Sequence, residues 1–480
     1  MKLKLLFALL IVTISNAQTQ IGQDIPGEGA SDHSGHSVSI SSSGNIIAIG
    51  AIGNDGNGQD SGHVRVYNNV SGVWTQIGND INGKAAGDLS GHSVSLSGDG
   101  STVAIGSPGH KINGISYSGH ARVFKNTSGN WIQVGNDIID NVADSSGSCV
   151  AISSNGNILA VGSAHGYSNS HAGTVRVYQN ISGTWTQIGN NIIGESPGDL
   201  SGQSIDISDD GSIVAIGAPV NSGNGNKSGH VRIFKNISGN WTQIGSDIDG
   251  RNAEDKSGTS VALSANGEIV AIGSPNSSEN ILGSGHVRVF KNISGTWTQL
   301  GNIIMGEWGY WSGQSVSLSS DGTILSIGNN VDFTPVRIFK NVSGVWTKLG
   351  EIGKSIPGFF GYSQSLSSNG DVIVVGAYLN TLNNIQQSGA GYVYNLTNIL
   401  SSDDFVLENF NIYPNPTTDI LSIELKENLT LEKVLIYNTS GELVKETAEK
   451  TINVSGFAKG IYNVQVLTNH GKASKKVIVK

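Results

Sequence analysis

The chain has 480 residues, a formal net charge of −9 and only 14% charged residues. This mild acidity argues against a nucleic-acid binder, which would show a basic face. With 66 glycines and 37% hydrophobic residues, the composition describes short strands joined by tight turns, not a disordered chain. The single cysteine, Cys149, excludes an intramolecular disulfide.

The chain opens Met1-Lys2-Leu3-Lys4, followed by an apolar run from Leu5 to Ile14 and then Ser15-Asn16-Ala17. A basic start, a short apolar core and a small residue before the cut predict a signal peptide over 1–17. The run is too short for a bilayer, which needs about 20 apolar residues. No later stretch is apolar enough, so no transmembrane segment is expected.

From Ser34 a unit recurs: SGHSVSISSSGNIIAIG, then SGHSVSLSGDGSTVAIG from Ser90, with further copies from Ser146, Ser201, Ser257 and Ser312 and a degraded copy from Phe360. Its second-position glycines, Gly35, Gly91, Gly147, Gly202, Gly258, Gly313 and Gly361, are spaced by 56, 56, 55, 56, 55 and 48 residues. A fixed period of this size marks a repeat architecture. Each unit carries four strand-like runs, in the first His36–Ser41, Ile46–Gly50, His63–Tyr67 and Trp74–Gly78. Four strands per unit and seven units predict an all-β chain with a seven-bladed β-propeller over 18–395.

The ends predict how the ring closes. The fourth run begins at Trp74, Trp131, Trp185, Trp241, Trp297 and Trp346, giving six copies for seven units. The orphan Thr19-Gln20-Ile21-Gly22 near the start of the chain supplies the missing one. The N-terminal segment is therefore expected to complete the last blade and remove an open edge. The six tryptophans read as packing residues.

Turns between first and second runs, and between third and fourth, are short and uniform. The other connections, such as 51–62, 107–119, 163–173 and 274–285, vary and fall on one face, where recognition is expected. Trp308, Tyr310 and Trp311 lie outside the repeat pattern and are the candidate ligand-binding cluster, by sugar stacking.

Other motifs are given structural roles. His36, His63, His92, His120, His230 and His286 each follow Ser-Gly. Spread around a ring, they are expected not to converge on one ion, so no metal site is assigned. Asp32, Asp88, Asp144, Asp199 and Asp255 are expected to pair with Arg65, Arg122, Arg176, Arg232 and Arg288 of their own blades. Asp55, Asn57 and Asp60 have calcium-like spacing; no other cofactor is expected. No nucleophile–base pair or close carboxylate pair stands out, and Cys149 reads as core, so the chain is expected not to be an enzyme.

The repeat resembles the FG-GAP type of integrin-α-like propellers, best seen at Gly217-Ala218-Pro219. The resemblance implies an extracellular binding or adhesion platform. The two-residue turn between first and second strands leaves no room for the calcium loop of that family. The end of the chain, with Tyr413-Pro414-Asn415-Pro416, Gly460, Tyr462 and the basic terminus through Lys480, resembles the type A sorting domain of the Bacteroidetes type IX secretion system. That implies a small β-sandwich over 411–480, handling by the type IX secretion machinery, and a secreted or cell-surface product. Residues 396–410 are the expected linker.

The leading functional expectation is a monomeric, non-enzymatic surface or secreted module that binds a glycan or protein. A carbohydrate-active hydrolase or lyase on the same scaffold, or a structural surface or matrix component, are the alternatives.

Overall fold

The computed structural model describes residues 19–111, 117–139, 144–164, 172–279, 281–353, 355–397, 406, 409–426, 429–439, 442–468 and 471–480. The expected signal peptide and most of the expected linker lie outside them. The named elements among the described residues are all β-strands.

Seven sheets follow one another along the chain, and an eighth and ninth form the C-terminal part. The innermost strands of the seven are Ser34–Ile40, Ser93–Leu96, Cys149–Ile152, Ser204–Ile207, Ser260–Leu263, Val316–Leu318 and Ser363–Leu366, which define blades 1 to 7. In blade 1 the second and third strands are Ile46–Ala51 and His63–Val70, and the fourth is split into Val73–Gln76 and Ile81–Asn82. The split is a detail the repeat pattern did not predict. Gly78, at φ 69°, turns the chain between the two pieces, and both pieces pair with the third strand. In blade 6 the fourth strand instead runs unbroken from Val345 to Ile352, with a bulge opposite Ile338 and Phe339.

Blade 7 takes its outer strand from the start of the chain. Thr19 and Gln20 pair with Asn395 and Tyr394, and Ile25 and Pro26 pair with Gly391 and Ala390. The ring is closed on its axis by a cycle of seven backbone hydrogen bonds at the first turns. Ser42 donates to Gly98, Gly98 to Ser154, Ser154 to Asp209, Asp209 to Ala265, Ala265 to Ser320, Ser320 to Ser368 and Ser368 back to Ser42, at 2.8–3.1 Å.

The Ser-x-Ser alternation of the innermost strands has a direct cause. Alternate residues point the same way, and these hydroxyls reach the neighbouring blade. Ser39 Oγ accepts from Leu96 N, Ser95 Oγ from Ile152 N and Ser317 Oγ from Leu366 N. The second strands are buried on both faces, with Ile47, Ala48 and Ile49 fully enclosed. A Cβ at Gly50 would meet the Gly91 carbonyl oxygen of the next blade at 2.1 Å, so only glycine permits this approach.

Each repeat tryptophan is also a stitch between blades. Trp74, Trp131, Trp185, Trp241, Trp297 and Trp346 donate their indole N–H to Ile21, Ile77, Val134, Ile188, Ile244 and Leu300 of the preceding outer strand, at 2.8–3.0 Å. The orphan N-terminal segment thus receives the tryptophan of blade 1.

The expected Asp–Arg pairing does not hold as a rule. Among the five expected pairs only Asp144 and Arg176 form an ion pair, at 3.5 Å. The aspartates instead cap their own loop: Asp32 Oδ2 accepts from Glu28 N and Gly29 N, and Asp88 Oδ2 from Lys84 N and Ala85 N. The arginines donate to backbone carbonyls of the preceding blade's short outer strand: Arg65 to Pro26, Arg122 to Asn82, Arg232 to Ile193 and Arg288 to Asp249. Their guanidinium groups lie 5.1–5.7 Å from the centre of an aromatic ring two residues on, from Tyr67 to Phe290. Backbone N–H groups reach Asp32, Asp88, Asp199 and Asp255 at 2.7–2.9 Å, and there local capping wins.

The C-terminal part is two sheets. One comprises Phe410–Tyr413, Ile420–Leu425 and Thr451–Asn453. The other comprises Leu443–Thr447, Leu431–Tyr437, Gly460–Thr468 and Gly471–Val479. They enclose Phe410, Leu421, Val434, Ile452, Val464 and Val477.

Two outcomes follow for stability. Ile25 is 3% exposed in the closing strand. Ile25→Ala should cost about 2–5 kcal/mol, and deleting residues 18–25 should lower the thermal midpoint further by exposing the blade 7 edge; calorimetry of the three forms checks both. Second, His120 and His286 are enclosed at the start of third strands. Their pKa values are pushed down from 6.5 to about 3 by burial first, then by His110 and Arg122 for His120 and by Arg288 and Arg251 for His286. The unfolded chain binds these protons near pH 6.5 and the folded chain only near 3, so stability falls as pH drops through that window. The loss is about 1.4 kcal/mol per pH unit for each group. Urea titrations across this range should show a shallower slope for His286→Gln.

Candidate functional site

The residue after each second-position glycine lies close to the start of an innermost strand, at the variable-loop end of the channel. These seven, His36, His92, Ser148, Gln203, Thr259, Gln314 and Tyr362, ring the channel mouth. At six of these positions a polar side chain other than serine faces the axis, where the repeat elsewhere is uniform.

On one side of the mouth, blades 7, 1 and 2 bring their aromatic rings together. The ring centre of His36 lies 4.9 Å from that of His92, 5.5 Å from Tyr362 and 5.8 Å from Tyr378. Tyr362 and Tyr378 are 4.6 Å apart, and Phe359 and His33 flank Tyr378 at 5.7 and 6.2 Å. His36 and His92, which the repeat places in different blades, thus lie in ring contact. A seven-blade channel is narrow at its axis, so equivalent positions in adjacent blades touch. Sequence separation conceals this, although the Tyr362 departure from the repeat was a usable signal.

Burial, with His92 the next cause, holds His36 down to about 3, so its imidazole is neutral at neutral pH. Burial, then Tyr378, raises the Tyr362 phenol, which keeps its proton. His92 Nδ1 lies 3.2 Å from the Ser148 carbonyl oxygen. Among the described residues lining the mouth, Asp206 is the one carboxylate. It stands in place of Ser39 and makes the same kind of bond, accepting from Leu263 N and Ile207 N. Burial pushes it up to about 6. Cys149 also borders the mouth, and burial pushes its thiol up to about 11, where it is no nucleophile.

Trp308, Tyr310 and Trp311 lie on the same face at the entry to blade 6. Trp308 is 71% exposed and Trp311 40% exposed, with Leu282, Ile281 and Phe333 also exposed. Trp311 N donates to Gly283 O and Gly309 N to Leu282 O, which joins the loops of blades 5 and 6. Asn330 N donates to Tyr310 O, and Asp332 accepts from Phe359 N. These contacts link the exposed tryptophans, loop by loop, to the Phe359–Tyr378–His36 cluster.

The loop with Asp55, Asn57 and Asp60 is exposed. Asp55 Oδ1 accepts from Asp60 N, and the Asn57 side-chain amide donates to Gly83 O. In the C-terminal part, the Tyr413–Pro416 segment is tied to the last strand. Asn415 accepts from Ile478 N and donates to Lys476 O, and Lys480 N donates to Thr417 O. Tyr462 packs on Phe457 and donates its hydroxyl to Ala458 O.

Residues 411–480 match the family model of the secretion system C-terminal sorting domain, and residues 26–67 match that of the FG-GAP repeat. A curated relative, Ulvan lyase NLR42 of Nonlabens ulvanivorans, is 36% identical over 85 residues, which span 17% of this chain and 16% of the lyase. Among solved structures, a Bacteroides uniformis protein described as a candidate 6-phosphogluconolactonase aligns with TM-score 0.50 and 15% identity over 85% of this chain and 97% of its own. A chain of the Mitotic Checkpoint Complex aligns with TM-score 0.51 and 15% identity over 82% and 97%. At that identity the two structures speak for the propeller fold alone.

The expectation that the chain is not an enzyme is overturned by its similarity to a lyase. Absence of a familiar residue pattern was too weak a ground for it, because the groups at the mouth assemble from different blades. The chain thus carries a secretion system C-terminal sorting domain over residues 411–480 and an FG-GAP repeat over residues 26–67, and the sorting domain marks it for type IX secretion to the cell surface or beyond.

Proposed function

We propose that the exported ring binds an extracellular polysaccharide along its variable-loop face. The observation that carries this reading is the run of aromatic groups from Trp308 and Trp311, through Phe359 and Tyr378, to Tyr362, His36 and His92 at the mouth. Exposed indole rings on ordered loops suit the apolar faces of sugar rings. The polar belt of Gln203, Gln314, Thr259 and Ser148 supplies hydroxyl partners. A chain lying on this track would be held at several points without a deep pocket.

A second reading is that the same face cleaves the chain by elimination, and two observations favour it. A segment of this protein is similar to a lyase of ulvan, and the mouth pairs a protonated phenol with neutral imidazole. Elimination needs a proton acceptor at carbon and a donor to the leaving oxygen; Tyr362 suits the donor. A hydrolase of the paired-carboxylate kind is less suited, since Asp206 is the one carboxylate in the described lining and is engaged by backbone N–H groups.

The test is binding and depolymerisation of a panel of neutral and uronate-containing polysaccharides by the full chain. Trp308→Ala with Trp311→Ala should weaken binding about tenfold or more, as for aromatic anchors elsewhere. Elimination would show as the ultraviolet absorbance of an unsaturated product, abolished by Tyr362→Phe with binding retained. Failure to bind any polysaccharide overturns the proposal.

A further inference from the structure

We propose that blades 1 and 4 each carry a site for a divalent transition-metal cation of the zinc class, formed by Glu28, His63 and Asp80 and by Glu195, His230 and Asp247. In each group, one ligand atom per residue lies within 4.8 Å of the other two. The groups come from three separate places in the repeat: the connection entering the blade, the start of its third strand, and the turn that splits its fourth strand. The ring of repeats builds the same constellation twice.

Three observations point to a cation. His63 is enclosed, with a side-chain exposure of 1%, and no hydrogen bond of ordinary length reaches its Nδ1, as is also true of His120 and His286. That nitrogen faces Asp80 Oδ2 at 3.5 Å, and His230 Nδ1 faces Asp247 Oδ2 and Glu195 Oε2 at 3.8 Å each. These separations are long for hydrogen bonds. They approach the spacing of roughly 3.4 Å between two ligands held about 2.1 Å from one tetrahedral ion.

Second, the aspartates are already oriented. Gln76 donates to Asp80 Oδ1 at 2.7 Å, and Gln243 to Asp247 Oδ1 at 2.6 Å, leaving Oδ2 of each turned to the histidine. Outer partners of this kind are typical of carboxylate ligands.

Third, the other blades act as internal controls. In blade 2 the glutamate position holds Lys84, whose Nζ lies 2.5 Å from Asp137 Oδ2, the counterpart of Asp80. That blade places an ammonium where the others would place an ion. In blade 5 the same position is Arg251 and the aspartate position is Ile303. Blade 3 has Thr174 for the histidine and Asn191 for the aspartate. The full set occurs only where no lysine or arginine replaces the glutamate. Arg65 and Arg232 approach Glu28 and Glu195 at 3.7 Å, so the histidine is the nearest basic group to each aspartate.

One imidazole and two carboxylates, with the glutamates about half exposed so that water completes the shell, suit zinc or a neighbouring first-row ion. The site would fasten the incoming connection to the blade.

The experiment is equilibrium dialysis of the chelator-stripped full chain against zinc chloride, with bound metal counted by elemental analysis. Two zinc ions per chain are expected. Glu28→Gln and Glu195→Gln should each remove one, with affinity at that site lowered at least about tenfold, and the double variant should lose both. These two carboxylates are exposed, so the variants keep the fold, which circular dichroism verifies; cobalt substitution adds an absorbance signature lost in step. A wild-type chain that retains no zinc overturns the proposal, as does a zinc count unchanged in the double variant.

Discussion

Everything in the ring depends on closure. Seven backbone N–H groups at the first turns each bond to the next blade, and the last returns to the first. Such a cycle exists only if every blade is in place, because each turn is at once donor and acceptor. The outer rim repeats the principle with indole N–H groups, and the middle with arginines on neighbouring carbonyls. The blades are thus joined at three radii, and each joint satisfies a backbone group that would be costly to bury without a partner.

Closure also explains why the two faces differ. The uniform face carries the short turns whose backbone makes the cycle, and any insertion there would break it. The opposite face carries connections that need only span from strand to strand. Their lengths and residues are free to vary, and the departures from the repeat gather there: Tyr362 at a position polar in the other blades, Trp308 and Trp311 in the connection entering blade 6, and Lys84 or Arg251 in place of glutamate. Recognition is built where the ring tolerates change.

The corrections share one cause. Reading Asp32 against Arg65 as a charge pair treated the blade as a closed unit, whereas the arginine reaches the preceding blade and the aspartate serves its own loop. The contact of His36 with His92 also crosses blades, at the narrow axis. Judging catalysis from single-chain patterns failed likewise. In a propeller the neighbour that matters lies a whole repeat away.

The amino-acid sequence by itself determined the repeat, the four strands per unit, the closure by the orphan N-terminal strand's missing-copy logic, and the exported address carried by the last seventy or so residues. Those features are periodic or terminal, and local propensity, turn chemistry and counting are enough to see them. Tertiary structure alone decided which side chains meet: the aromatic and histidine cluster at the mouth, the carboxylates around His63 and His230, and the capping role of Asp32 and its counterparts. The physical reason is geometric. A strand pattern says which way a side chain points, but the distance between two blades is set by the number of blades and the glycine-sized approach between them, and that is a property of the closed ring.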